Sequence, residues 1–214
     1  MKSRLFPHMV IGMTAVLLGF ATSLKAGPPL ICHPIDIGQA KSLPLVDWNQ
    51  KEKGEYDVTN LTRDTLAILT PGTPVLVRME TLRRATLFAR QDPQVAKELL
   101  TRLHLRAVDS DAAGRPDALA WFDFGYLAET YKQWMGKDEP NPARALDGYN
   151  YVKKAIRLRA SDPEMEFAAA LITLEGPASD HQAHLQKALA GSGSDPLLAR
   201  NLASRFNGQM LSAL

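Results

Sequence analysis

The chain has 214 residues and a formal charge of +2, with 45% of residues hydrophobic and 22% charged. That is enough for one domain with a substantial core, and too apolar for a largely disordered chain. The positive charge is local: Lys2, Arg4 and Lys25 lie in the first 26 residues without an acid, so residues 27–214 carry −1 and a nucleic-acid-binding role loses its electrostatic footing.

Lys2 and Arg4 precede the apolar run MVIGMTAVLLGFATSL, and LKAG then offers cleavage after Ala26. This reads as a signal peptide over 1–26 and predicts an exported, periplasmic or extracellular chain. Membrane association is expected only if the run is retained as an anchor, since about 18 apolar residues can span a bilayer.

Residues 27–58 form the next segment. Pro28, Pro29, Pro34 and Pro44 oppose helix, yet Leu30, Ile31, Ile35, Ile37, Leu43 and Trp48 are too apolar for a free linker. An extended arm lying across the first helices is expected, with QKEKGEYD at 50–57 as a polar hinge. Cys32, the only cysteine, sits in it beside His33. Pro29, Leu30 and Ile31 before it do not suit lipoprotein processing. Haem attachment lacks the first cysteine of its motif, and a structural zinc site lacks paired ligand spacing. A buried thiol, an intermolecular disulfide and a share in a ligand site with distant residues remain open.

From Thr59 the chain is helical in pattern. TNLTRDTLAILT is a short helix stopped by PGTP. In PVLVRMETLRRATLFARQ, the positions Val75, Met79, Leu82, Thr86 or Leu87, and Ala89 form a helical stripe. Arg83 and Arg90 flank that stripe, and Arg84 points away. DPQVAKELLTRLHLRA has Asp92 as cap and Pro93 at the first helical position. RPDALAWFDFGYLAETYKQW, NPARALDGYNYVKKAIRLRA, DPEMEFAAALITLE, SDHQAHLQKALAG and DPLLARNLASRFN complete the series, with glycines 136, 176, 191 and 208 near helix ends. No run of comparable length alternates with period two, so the domain over 59–214 is expected to be all-α. Short connections imply antiparallel helix pairs.

Trp121, Phe124, Gly125 and Ala128 in WFDFGYLA resemble the first helix of a tetratricopeptide repeat. Gly148, Val152, Ala155, Ile156 and Leu158 resemble its second helix. The next pair has Ala170 as the small residue, with Leu185, Ala188 and Leu189 opposite it. The resemblance covers roughly 116–206, and residues 74–108 share only the helix pattern. Ala128 replaces the family's Tyr, His181 stands where a small residue is usual, and only the last repeat interval is near the family's period of about 34 residues. The resemblance implies a short α-solenoid, a recognition scaffold that takes a peptide or protein partner in its groove.

Arg83 and Arg90 belong to a basic stretch, 76–106, with a net +4, followed by an acidic one, 109–147, with a net −4. Such patterning sets the polarity of a groove, which makes both arginines candidate partner contacts. Tyr126 and Trp134 join them, because their polar tips suit a wet groove; the other aromatics of that helix read as core. His181 and His184 share a helical face beside Asp180 and can share a metal only with a further ligand. They also fit a stripe packed on the preceding helix. The alternative to a scaffold is thus a metal- or small-ligand-binding protein using Cys32 and His33 with His104, His181 or His184. No phosphate loop, nucleophile elbow or H-E-x-x-H is present; catalysis is not expected, and no cofactor is implied.

Overall fold

A computed structural model of the chain describes residues 27–45, 56–134, 140–160 and 162–210. The signal segment expected over 1–26, its expected cleavage point and most of the expected polar hinge lie outside the described residues. Among the described residues there is no strand: the regular elements are α1 (Leu61–Ile68), α2 (Val75–Ala89), α3 (Pro93–Ala112), α4 (Ala118–Trp134), α5 (Gly148–Leu158), α6 (Pro163–Ile172), α7 (Ala178–Gly191) and α8 (Pro196–Met210), with two short 3-10 turns. The fold is all-α, as expected. No helix among the described residues is long and apolar enough to cross a membrane.

Helix starts follow local chemistry. Asp92, Asp162 and Asp195 each precede a proline and accept two backbone N–H groups of the following turn. These are N-caps with proline at the first helical position. The helix expected from Asn141 begins only at Gly148, because Asp147 caps it by accepting from the Asn150 N–H at 3.0 Å. Helix α3 runs five residues past its expected end at Ala107.

The helices pack in adjacent pairs, most extensively α4 along α5 and α6 along α7. Two glycines allow the first of these. A Cβ on Gly125 would stand 2.6 Å from the Gly148 carbonyl oxygen and 2.9 Å from Val152 N, so the two backbones are in direct contact. The earlier helices depart from simple pairing: α2 and α3 each touch α4 more than each other, and α1 packs on both.

Helix α2 is the centre of the molecule. Fourteen of its fifteen residues are buried, Arg84 being the exception. A single apolar stripe does not describe it. Helix α4 covers one side, and the N-terminal arm covers another with Leu30, Ile31, Ile35, Ile37 and Leu43, all buried. The arm thus lies across the first helices, as its apolar content predicts.

Candidate functional site

The arm is held by polar side chains that α2, α4 and α8 aim at its backbone. It begins with a turn in which the Ile31 and Cys32 N–H groups meet the Pro28 carbonyl. The Leu30 N–H donates to Gln133 of α4 at 2.8 Å. The Ile31 carbonyl accepts from Arg83 of α2 at 3.1 Å, and the Ile35 N–H donates to Glu80 at 2.9 Å. The carboxamide of Asn201 on α8 makes a two-point clamp on residue 36, accepting its N–H at 2.8 Å and donating to its carbonyl at 2.9 Å. Arg205 reaches the Pro29 carbonyl at 2.7 Å, Arg84 reaches Leu43 O at 2.5 Å, and the Ser42 and Thr81 hydroxyls meet at 2.9 Å. Side chains 35 and 37 are buried while 36 is exposed, the alternation of an extended strand-like segment. A helical face therefore grips an extended peptide through its main chain and pockets its alternate side chains.

The charges beneath the arm are matched in place. Glu80 accepts from Arg83 at 2.7 and 2.8 Å and from Arg84 at 2.7 Å. Burial works to raise its carboxyl, but these guanidinium groups and the Ile35 N–H hold it below the ordinary carboxylate range. Arg78 pairs with Asp123 of α4 at 2.6 Å, both side chains fully buried, and also donates to the Thr70 and Thr73 carbonyls. Burial pushes Asp123 up to about 7 against the pull of Arg78.

The structure separates the residues singled out by sequence. Arg83 is only 2% exposed and its guanidinium is committed to Glu80 and Ile31, so its place is under the arm and not on an open groove. Arg84, expected to point away, turns inward to Glu80. Tyr126 is fully buried and stacks on Phe122 at 5.6 Å; its tip does not reach a wet surface. Arg90 and Trp134 are brought together, the guanidinium 4.7 Å from the ring centroid, a cation–π pair; Trp134 follows in the chain the Gln133 that holds the Leu30 N–H. Cys32 is half-buried, not sealed, and burial raises its thiol against the charges of Arg205 and Arg83.

The histidines divide between helices. His181 meets the Ala170 carbonyl at 2.9 Å, and His184 bridges Glu166 and the Tyr149 hydroxyl, the latter at 2.7 Å. Both are buried against the preceding helix. His104 is exposed and stacks on Phe124 at 4.5 Å. Among the described residues no three His, Cys, Asp or Glu side chains are grouped to hold a metal, so Cys32 and His33 do not complete a site with His104, His181 or His184. Asn201, Glu80, Gln133 and Arg205 went unmarked by sequence reasoning. A readable signal existed for two: Asn201 and Arg205 interrupt the stripe Leu198, Leu202, Phe206, where an apolar face would be filled throughout.

Comparison with known families, characterised proteins and solved structures finds no match to this chain.

Proposed function

We propose that the chain is an exported, non-catalytic scaffold of tetratricopeptide-like build that recognises an extended protein or peptide segment. The observation that supports this reading is the arm itself. Side chains from three helices hold main-chain groups between Pro29 and Leu43, a recognition mode in which main-chain bonds give affinity and pockets for alternate side chains give specificity. The arm occupies this face in cis, and the Arg90–Trp134 pair at its edge is the contact offered to a partner. A rigid aromatic and an arginine are the residue types that dominate interface energetics.

The test uses the tagged 27–214 chain to capture partners from an extracytoplasmic fraction, followed by titration of the purified partner. Saturable binding that weakens at least about tenfold in the double variant Arg90→Glu, Trp134→Ala is expected, with helicity by circular dichroism unchanged. Absence of any saturable partner overturns the scaffold reading, and full affinity in the double variant removes these residues from the contact. Export is checked by the mass of the chain recovered outside the cytoplasm, which begins at Gly27 if cleavage follows Ala26.

A further inference from the structure

Three helices bring a carboxylate, an imidazole and a phenol into one chain of contacts. Glu166 of α6 is fully buried, His184 of α7 is 8% exposed, and Tyr149, near the start of α5, is half-buried. The acid is thus deepest and the phenol the most open to solvent. His184 Nδ1 meets Glu166 Oε2, and its Nε2 lies 2.7 Å from the Tyr149 hydroxyl. Lys187, from the exposed side of α7, sets its Nζ 3.3 Å from Glu166 Oε1 and balances the buried charge. Tyr149 is held from its other side. Its N–H donates to Glu129 of α4 at 3.0 Å, and Lys153 Nζ stands 4.3 Å from its ring centroid.

These contacts decide the tautomer. A carboxylate only accepts, so Nδ1 carries the hydrogen that faces Glu166. In the neutral ring Nε2 is then the acceptor, and the Tyr149 O–H donates to it. Burial, and then the Asp180 carboxylate 3.4 Å from the hydroxyl, push this phenol up to about 12. It is therefore un-ionised at neutral pH and reacts as an oxygen nucleophile only when a base takes its proton. His184 is within reach for that transfer, and Glu166 holds it in the tautomer that accepts.

We propose that Tyr149 is a covalent acyl-acceptor site, with His184 as its base and Glu166 as the residue that positions the base. The Tyr149 oxygen adds to the carbonyl carbon of an ester while its proton passes to His184 Nε2. The bond to the leaving oxygen then breaks, that oxygen takes the proton from Nε2, and an acyl group remains on Tyr149. No electrons are gained or lost, and the ester is the sole co-reactant. The surroundings select an uncharged donor, because Asp180, Glu166 and Asp147 set a negative field at the hydroxyl. The step ends at the acylated tyrosine, a modification of the scaffold that requires no turnover and no partner.

The probe is p-nitrophenyl acetate, applied to the intact chain at neutral pH, with acetyl-tyrosine located by peptide mass mapping. Each tyrosine's rate is divided by its own rate in the urea-unfolded chain. Tyr149 is expected to acetylate at least about tenfold faster folded than unfolded. Tyr56, whose hydroxyl donates to Asp64 at 3.0 Å, and Tyr151, stacked on Trp121, are expected to slow on folding. His184→Gln offers Tyr149 a hydrogen bond but takes no proton, and is expected to abolish the acceleration. Glu166→Gln keeps the packing and an acceptor for Nδ1–H, so a purely structural role predicts wild-type labelling; a loss of at least about tenfold is expected instead. Acetyl phosphate, an anionic donor, is expected to show no acceleration, and an equal one overturns the donor class assigned. Equal folded and unfolded rates at Tyr149, or an acceleration that survives in His184→Gln, overturns the site. Should that variant fail to fold, the wild-type comparison with Tyr56 and Tyr151 decides the matter.

Discussion

Arg83 and Arg90 lie seven residues apart on one flank of a single helix, and sequence alone assigns them the same role. Arg83 neutralises a buried Glu80 and caps the Ile31 carbonyl, while Arg90 lies exposed over a tryptophan ring. Their energetic weights differ accordingly. Removing one member of a buried ion pair leaves an uncompensated charge and costs about 3–5 kcal/mol, so Arg83→Met is expected near the low end, about 3 kcal/mol, since Arg84 still reaches Glu80. Arg90→Met is expected to cost less than about 1 kcal/mol. Urea denaturation of the two variants decides it, and equal midpoints would contradict the buried network. The difference was not legible in the sequence, because the partner that buries Arg83 is a backbone carbonyl 52 residues away. The Asp-Pro caps were legible, because cap and capped N–H groups lie within one turn.

Between elements, the α4–α5 pair shows why a small residue was readable as structure. Gly125 was marked as the position where a second helix comes close, and a Cβ there would stand within 2.9 Å of Tyr151 Cβ and Val152 N. Gly125→Ala is expected to destabilise by about 1–3 kcal/mol through overpacking, whereas Gly193→Ala, with nothing within 4 Å of the added Cβ, is expected to change little. An unchanged unfolding midpoint for Gly125→Ala would mean that the helices slide apart without penalty. The start of α5 was misplaced because Asn141–Pro142 carries a start signal as strong as Asp147–Gly148. The Asp147 cap and the packing of Gly148 on Gly125 together select the later one. Helix α2 misled for a related reason: Arg83 read as a partner contact and Arg84 as pointing away, but the counter-charges of its buried arginines come from the helix itself and from Asp123.

For the whole molecule, two sets of carboxyl groups bound the stability profile. Glu80 and Asp36 are held below their ordinary range, so their contribution is present above those values and lost as pH falls below about 4. Glu164 and Asp123 are raised to about 7, so theirs declines as pH climbs from about 4.5 towards 7. Thermal unfolding is therefore expected to show a maximum in mild acid, between about pH 4.5 and 6, with Glu164→Gln shifting the alkaline side upward. A maximum above pH 8 would contradict both assignments. At this scale the all-α class and an arm across the first helices were legible. The arm's second anchorage on α8 was not, because nothing local links Asp36 to a residue 165 positions away.

That anchorage joins the beginning of the described chain to its final helix, and it orders events in time. The arm is made before Asn201, and at roughly 5–20 residues per second a separation of 165 residues leaves about 10–30 s between the two during synthesis. Helices α2 to α7 can assemble in that interval with the face beneath the arm still half-built. The arm's bonds to α2 and α4 can form in that interval, and only its bonds to α8, at Pro29 and residue 36, wait for the last helix, so whatever engages the α8 side before then meets the arm without its final clamp.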